Sequence, residues 1–276
     1  MASGPLSADN RYASRSSGYT PGVPKLTVTV ITRNEAANIL AALDSVSWAD
    51  ELVVVDSQST DDTAALARQR TNRVFVREWP GYSAQKNFAA EQASHDWILS
   101  LDADERVTPA LAGEIRALLS GEPGARGYDV PRVSFYLGKW IRTTDWYPDH
   151  QLRLYDRRAG TWAGEVHEGV RVSGAVGRLR AELQHLPYRD ISHHLQTIDR
   201  YTTLAARQLR AGGRTVGVAG LAARPLGAFL RNYLARGGWR DGSVGLVVSI
   251  LNSYYVFLKF AKLWELGRKE EVGSKQ

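Results

Sequence analysis

The chain has no cysteine and a single methionine among its 276 residues. Without cysteine there is no disulfide framework, no thiolate nucleophile and no thiolate metal site. Two glycine patterns are also missing. Neither GxGxxG nor GxxxxGK[ST] follows the first apolar run, 26-LTVTVI-31, which argues against the usual dinucleotide-binding enzymes and P-loop NTPases. The first 24 residues are polar, rich in Gly, Ser and Pro, and lack the apolar stretch of a secretory signal, so 1–24 reads as a disordered tail. Acids are absent between Ala205 and Arg240, where seven arginines fall. No apolar run reaches the ~20 residues of a membrane span; the longest uncharged one, Gly242 to Leu258, has 17.

What is present is alternation. Strand-like 26-LTVTVI-31, 51-ELVVVD-56, 73-RVFVR-77 and 97-WILSLD-102 are separated by helical patterns at 35–46, 60–70 and 83–93. A further helix runs from Thr108 to Leu119, with Thr108 as cap and Pro109 in its first turn. Near-continuous apolar strands between helices predict an α/β fold with a parallel, Rossmann-like sheet covered on both faces. Loops at the carboxyl ends of such strands converge on one crevice. Here they are 32-TRNE-35, 56-DSQST-60 and 102-DADER-106. The expected divisions are the tail, a nucleotide-binding half at 25–120, an acceptor-side half at 121–190, and a basic helical extension at 191–276.

Three constellations carry chemistry. Asp102 and Asp104 leave a buried strand together, and two hard carboxylates there suit Mg2+ or Mn2+ with phosphates. Such an ion would relieve the repulsion among these acids; Glu105 is left as a helix-start acid or a salt-bridge partner. Asp56 ends a strand and can bond a base or ribose, or serve a helix cap at Ser59 or Thr60. Glu35 can take ribose hydroxyls or simply favour a helix start. In 164-GEVHEG-169, Glu165 or Glu168 can act as general base, with His167 as a second candidate or positioning group. His185, His193 and His194 could serve as metal ligands or as donors to a diphosphate, although their spacing defines no site. Trp140, Trp146, Tyr147 and Trp162 could cover the apolar face of a sugar, or simply pack.

Together, 27-TVTVITRNEAANI-39, 52-LVVVDSQSTDDT-63, 81-GYSAQKNFAAEQASHDWILSLDADE-105 and 164-GEVHE-168 resemble a family 2 glycosyltransferase with the GT-A fold. The branch is similar to bacterial enzymes that add β-linked glucose or a related sugar to the lipopolysaccharide inner core. The resemblance spans roughly residues 25 to 200. It implies a UDP-sugar donor, with Thr32, Arg33 and Glu35 lining the uridine pocket and Asp56 on the uracil. Lys86 and Asn87 would lie near the nucleotide and metal, Asp102 by ribose and donor sugar, and Asp104 would be the principal metal ligand. Glu168 would be the base, with Glu165 as second choice. One base and no enzyme nucleophile implies inversion. The aromatic loop 138–150 is expected to act as a mobile lid.

The extension is harder to read. Residues 201–276 hold twelve Lys or Arg against four acids, which suits an anionic membrane surface holding a lipid-linked glycan acceptor. Helices are expected at 198–212 and at 225–238, the latter with a proline start and a glycine stop. The last helix, 241–269, fits a membrane-surface helix, a core or homodimer contact, or a span. The expected location is cytoplasmic, peripheral to the inner face of the inner membrane. Rival readings are a polyprenyl-phosphate glycosyltransferase and a nucleic-acid-binding protein. The second is disfavoured, because no nucleic-acid module is visible and no nucleic acid is expected as partner.

Overall fold

The computed structural model describes residues 24–164 and 168–273. Of the expected tail, only Pro24 lies among them. The expected alternation is present. Strands β1 (Leu26–Thr32), β2 (Glu51–Asp56), β3 (Val74–Val76) and β4 (Trp97–Asp102) lie in parallel in the order β3-β2-β1-β4. Between them run α1 (Ile39–Asp44), α2 (Thr63–Ala67) and α3 (Tyr82–Glu91). Val28, Val30, Val54, Leu99 and Leu101 face one way, into a core completed by Ile39 and Leu43 of α1, Ala67 of α2, and Leu111 and Ile115 of α4 (Pro109–Leu119). Ile31, Val53 and Val55 face the other way, against Ala89 of α3. Both faces of β1, β2 and β4 are covered, which is why these strands read as nearly unbroken apolar runs.

The second half extends this sheet antiparallel and then rolls it. A short strand, β5 (Glu105–Val107), follows β4 after only Ala103 and Asp104. The chain then forms β6 (Gly127–Tyr136), β7 (Lys139–Ile141), β8 (Asp149–Asp156), β9 (Gly160–Ala163), β10 (Gly169–Val172), β11 (Val176–Arg178) and β12 (Leu183–His185). The sheet continues β4-β8-β6-β12-β5, with β7 and β11 also on β6, while β9 and β10 form a separate hairpin. Four strand steps would put β4 and β5 ~19 Å apart in a flat sheet, but three Cα–Cα links reach at most ~11 Å. The sheet must therefore curl back on itself. That curl brings the 102–105 turn, already beside β8, against side chains from β6 and β12.

The extension is helical: α5 (Ile191–Ala211), α6 (Val218–Leu230) and α7 (Gly242–Gly273). Two local expectations change. The helix expected at 198–212 starts at Ile191, where the Asp190 side chain caps it by accepting from the His193 N–H at 2.7 Å. Pro225 does not start its helix. It lies inside α6, which begins at Val218 because apolar Val218–Ala223 continue the pattern backwards from the proline. The expected glycine stop is present: Gly237 has φ 70° after a wide turn at Arg231–Ala235.

The loop expected to be a mobile lid is tied down. Thr143 and Thr144 are buried. The Thr143 hydroxyl donates to Asp241 at 2.6 Å, the Asp145 N–H donates to Asn232 Oδ1 at 2.8 Å, and Trp146 Nε1–H donates to Asn252 Oδ1 at 3.0 Å. These are buried or half-buried bonds to the helical extension, whose residues a reading of the loop alone could not supply.

Candidate active site

β1, β2 and β4 end level. Thr32 pairs with Asp56 across one side, and Ile31 with Asp102 across the other. The loops that follow are clamped together. Asn34, at φ 55°, donates its N–H to Ser59 Oγ and accepts from the Thr60 N–H through Oδ1, each at 2.8 Å. The Glu35 N–H donates to Thr63 Oγ1 at 2.8 Å. Asp56 is buried and accepts from both the N–H and the hydroxyl of Ser59, three residues on, which fixes the loop that leaves β2. The next helix starts only at Thr63, so Ser59 and Thr60 are turn residues and not its cap. Thr32 Oγ1 and Gln85 Oε1 are buried at this end without partners among the described residues, although Gln85 Nε2–H reaches Ser57 Oγ at 3.0 Å. Unpaired buried polar atoms of this kind are where a polar ligand fits. Gln85 was within reach of the sequence, one residue before Lys86, but nothing local marked it. Arg33 is exposed.

The acids of the 102–105 turn are divided by the cations that reach them. Asp102 Oδ1 lies 3.0 Å from Lys86 Nζ, and its Oδ2 lies 2.6 Å from Arg153. Glu105, fully buried, takes Arg153 at 2.5 Å and Arg132 at 2.9 Å, and its other oxygen accepts the Asp102 N–H at 3.1 Å. Arg132 also holds Asp149 at 2.6 Å. Three carboxylates thus meet three cations. Burial would push the Asp102 carboxyl up, but the Arg153 guanidinium and Lys86 ammonium outweigh it and hold it below the usual range. Burial likewise disfavours the Arg153 charge, and Asp102 and Glu105 reverse that. Repulsion at this turn is therefore relieved by the protein's own cations, without the divalent ion expected for it. Glu105 is the salt-bridge partner.

Asp104 is treated differently. Among the described residues its side chain meets only His185, with Nε2 at 3.3 Å from Oδ2, while Ser134 Oγ sits 3.1 Å from His185 Nδ1. Its charge bears on Glu35. Burial first pushes that carboxyl up, the Asn38 amide opposes, and Asp104 adds to the rise. A carboxylate oxygen and an imidazole nitrogen this close suit a cation such as Mn2+ or Mg2+. No group of three acids or histidines joins them among the described residues, so a ligand's phosphates and water would complete the shell. Asp104 and His185 fit a divalent ion. Asp102, with both oxygens on cations, fits the role of organiser.

Lys86 links this side to the candidate base. It is 2% exposed, lies 4.3 Å above the Trp162 ring, and its Nζ is 3.9 Å from Glu168 Oε1. Glu165 and His167 lie outside the described residues. Asn87 points away from any nucleotide role. Its Oδ1 accepts from the Trp162 N–H at 2.9 Å and the Thr161 hydroxyl at 3.1 Å, and its Nδ2 donates to the Trp162 carbonyl at 2.9 Å, pinning β9 to α3. Ser83 Oγ–H donates to the Gly164 carbonyl at 2.6 Å. One helix thus carries Lys86 and anchors the segment that leads to Glu168.

The four aromatic candidates separate. Trp162 is 5% exposed, bonds Tyr155, and forms the floor under Lys86 rather than an open platform. Trp140 packs on Phe135, and Tyr147 donates to Glu182 at 2.8 Å. Trp146 lines a cavity with Tyr188, Tyr201 and Tyr255. A second cavity, of about 930 Å3, opens beside Pro24 and Trp97, at the opposite ends of the strands.

The profile described as Glycosyl transferase family 2 matches residues 27–172, more than half of the sequence, and the chain belongs to this family. The lipopolysaccharide core biosynthesis glycosyltransferase LpsC of Rhizobium meliloti (strain 1021) is 32% identical over 253 residues, 88% of this chain and 94% of its own. An uncharacterised glycosyltransferase of Rickettsia typhi is 30% identical over 258 residues, 89% of this chain and 88% of its own. Among solved structures, the mannosyltransferase PcManGT from Pyrobaculum calidifontis, in complex with GDP-Man and Mn2+, matches with a TM-score of 0.51 at 17% identity, over 88% of each chain. That likeness speaks to the fold, which is GT-A.

Proposed function

We propose that the chain is an inverting, metal-dependent transferase. It moves a sugar, with glucose the first candidate, from a UDP-sugar to a lipid-linked glycan such as the lipopolysaccharide inner core. The observation that carries this reading is the division of acids around Lys86. Asp102 is neutralised, Asp104 is left beside His185, and Glu168 lies 3.9 Å from the same buried amine that holds Asp102. The identity to LpsC supports the acceptor class.

A divalent ion held by Asp104 and His185 would supply positive charge to the departing diphosphate. The chain's own residues do the rest. Asp56, Glu35, Thr32 and Gln85 line the strand ends where a nucleoside would lie. Glu168 takes the proton of the acceptor hydroxyl as its oxygen forms the new bond to C1 and the bond from C1 to the diphosphate breaks. Lys86 lowers the repulsion between Asp102 and Glu168 by pairing with both.

The extension would bring the enzyme to the acceptor. Val218, Leu226, Leu230, Leu234, Trp239 and Ile250 are exposed, and arginines lie among them. α7 is long and apolar enough to cross a membrane by length and composition. Its bonds favour a surface helix over a span: Trp146 of the acceptor-side half to Asn252 and, within the extension, Asn252 to Asn232, the Ser253 hydroxyl to the Pro225 carbonyl, and Lys262 to Asp199. The expected location is the cytoplasmic face of the inner membrane.

The test is a melting-temperature panel of UDP, GDP and their sugars with Mn2+ or Mg2+. A metal-dependent rise with UDP-sugars supports the reading, and a preference for guanine nucleotides overturns the UDP assignment. Flotation with anionic vesicles but not neutral ones supports the membrane surface; equal binding to both, or none, counts against it.

A further inference from the structure

A cavity of about 300 Å3 lies between α5, α7 and the 3-10 turn at Thr144–Trp146. Its walls include Trp146, Tyr188, His194, Tyr201, Asn252 and Tyr255. This volume is at the lower end of the range for small-ligand sites, ~300–1,000 Å3. We propose that it seats one saccharide ring of the acceptor, so that the C-terminal helices read the glycan. This deepens the transferase reading and rests on it.

Position is the first argument. The Tyr201 hydroxyl is 3.4 Å from that of Tyr82, and Tyr82 is close enough to Glu168 to feel its charge. Tyr188, on another wall, feels the charge of Asp104. The cavity therefore borders α3, which carries Lys86, and the segment after β12, where the Leu186 N–H donates to the Asp104 carbonyl at 2.9 Å.

Chemistry is the second. The walls are aromatic, which suits the apolar face of a pyranose. They also carry groups that can hydrogen-bond: the Tyr188, Tyr201 and Tyr255 hydroxyls, the Asn252 amide and the His194 imidazole. His194 is 3% exposed, stacks on Tyr188 at 3.8 Å, and has the Tyr136 hydroxyl 3.1 Å from Nδ1. An acyl chain would cover those polar atoms without satisfying them, whereas a ring bearing hydroxyls satisfies them. The frame is fixed in advance by the chain of bonds from Trp146 through Asn252 to Asn232.

The third argument is the helix itself. Leu251, Asn252 and Tyr255 line the cavity, whereas Leu246, Ile250, Tyr254 and Phe257 are exposed. At ~100° per residue these two sets lie about 150° apart around α7. A helix with its exposed stripe on a lipid surface would present its other face to a sugar carried on that lipid.

The experiment compares Tyr188→Phe, Tyr255→Phe and the cavity-filling Thr197→Trp, using UDP-glucose with Mn2+. The acceptors are a lipid-free core oligosaccharide and the same glycan on its lipid. Each Phe variant should raise the KM for the lipid-free acceptor about ten-fold with a smaller change in kcat, and Thr197→Trp should abolish its use. All three should keep the melting shift given by UDP and Mn2+. An unchanged KM in all three variants overturns the proposal. So does a loss confined to the lipid-linked acceptor, which would assign the cavity to the lipid. If the unsubstituted protein shows neither a UDP–Mn2+ shift nor transfer, the transferase reading itself falls and the subsite falls with it.

Discussion

The charged turn after β4 and the aromatic cavity beneath α7 adjoin the same candidate reaction centre and are built in opposite ways. The first crowds ionised groups in a buried place and stays stable because each acid but one is matched by a cation. The second is neutral: burial, with a smaller contribution from the His193 charge, lowers the His194 pKa to about 4, and burial foremost pushes Tyr188 up to about 12. In the first region a residue's role follows from which cation reaches it, as the contrast between Asp102 and Asp104 shows. In the second it follows from which aromatic and polar groups packing leaves facing the cavity. One region handles charge and the other shape.

Four substitutions or titrations should break or sharpen this contrast. The largest effect is expected from Glu168→Gln, which should lower transfer by ~10²–10⁴-fold and leave UDP affinity nearly unchanged, as measured by single-turnover rates and calorimetry. Retained transfer would move the base to Glu165 or His167. Next, Glu105→Gln should cost about 3–5 kcal/mol in urea unfolding, because Arg153 and Arg132 lose a buried counter-ion.

The third prediction concerns pH and the neutral region. His194 titrates near 4 when folded against 6.5 ordinarily. Its contribution to stability is therefore complete above 6.5 and lost as pH falls from 6.5 towards 4, up to about 3 kcal/mol. His194→Gln should flatten that part of the stability profile; an unchanged slope would show that His194 is not the group responsible. The smallest effect is expected from Asn87→Ala, about 1–3 kcal/mol, as β9 loses its tie to α3. A loss below the precision of the unfolding curve would show that the tie is not needed.

Much of the charged region was legible in the sequence, because its acids sit at the ends of apolar strands that alternate with helices. The three loops converge as that pattern requires, and Thr108 caps α4, accepting from the Leu111 N–H at 3.1 Å. What the sequence could not show is the curl of the sheet. Arg153 comes from β8, the neighbour of β4, whereas Arg132 and His185 come from β6 and β12 and reach the turn because β5 closes the far end of the path. That long-range step sets His185 beside Asp104 and Arg132 on Glu105, while Lys86 and Arg153 hold Asp102. The cavity was less legible still. Of its walls only Trp146 was singled out as a sugar contact, since Tyr188, Tyr201 and Tyr255 become neighbours through helix packing and carry no local pattern. Trp162 misled in the other direction, because an aromatic residue beside a catalytic motif can equally be its floor.

The most direct test compares Asp104→Asn with Asp102→Asn by measuring UDP affinity calorimetrically with and without Mn2+, a thermal melt confirming that each protein is folded. The account predicts that Asp104→Asn removes the Mn2+-dependent part of UDP binding. Asp102→Asn should melt lower, with Lys86 and Arg153 each short of a partner, yet still bind UDP more tightly when Mn2+ is present. A folded Asp104→Asn protein that keeps its Mn2+ dependence, or a folded Asp102→Asn protein that alone loses it, would contradict the division of roles on which the account rests.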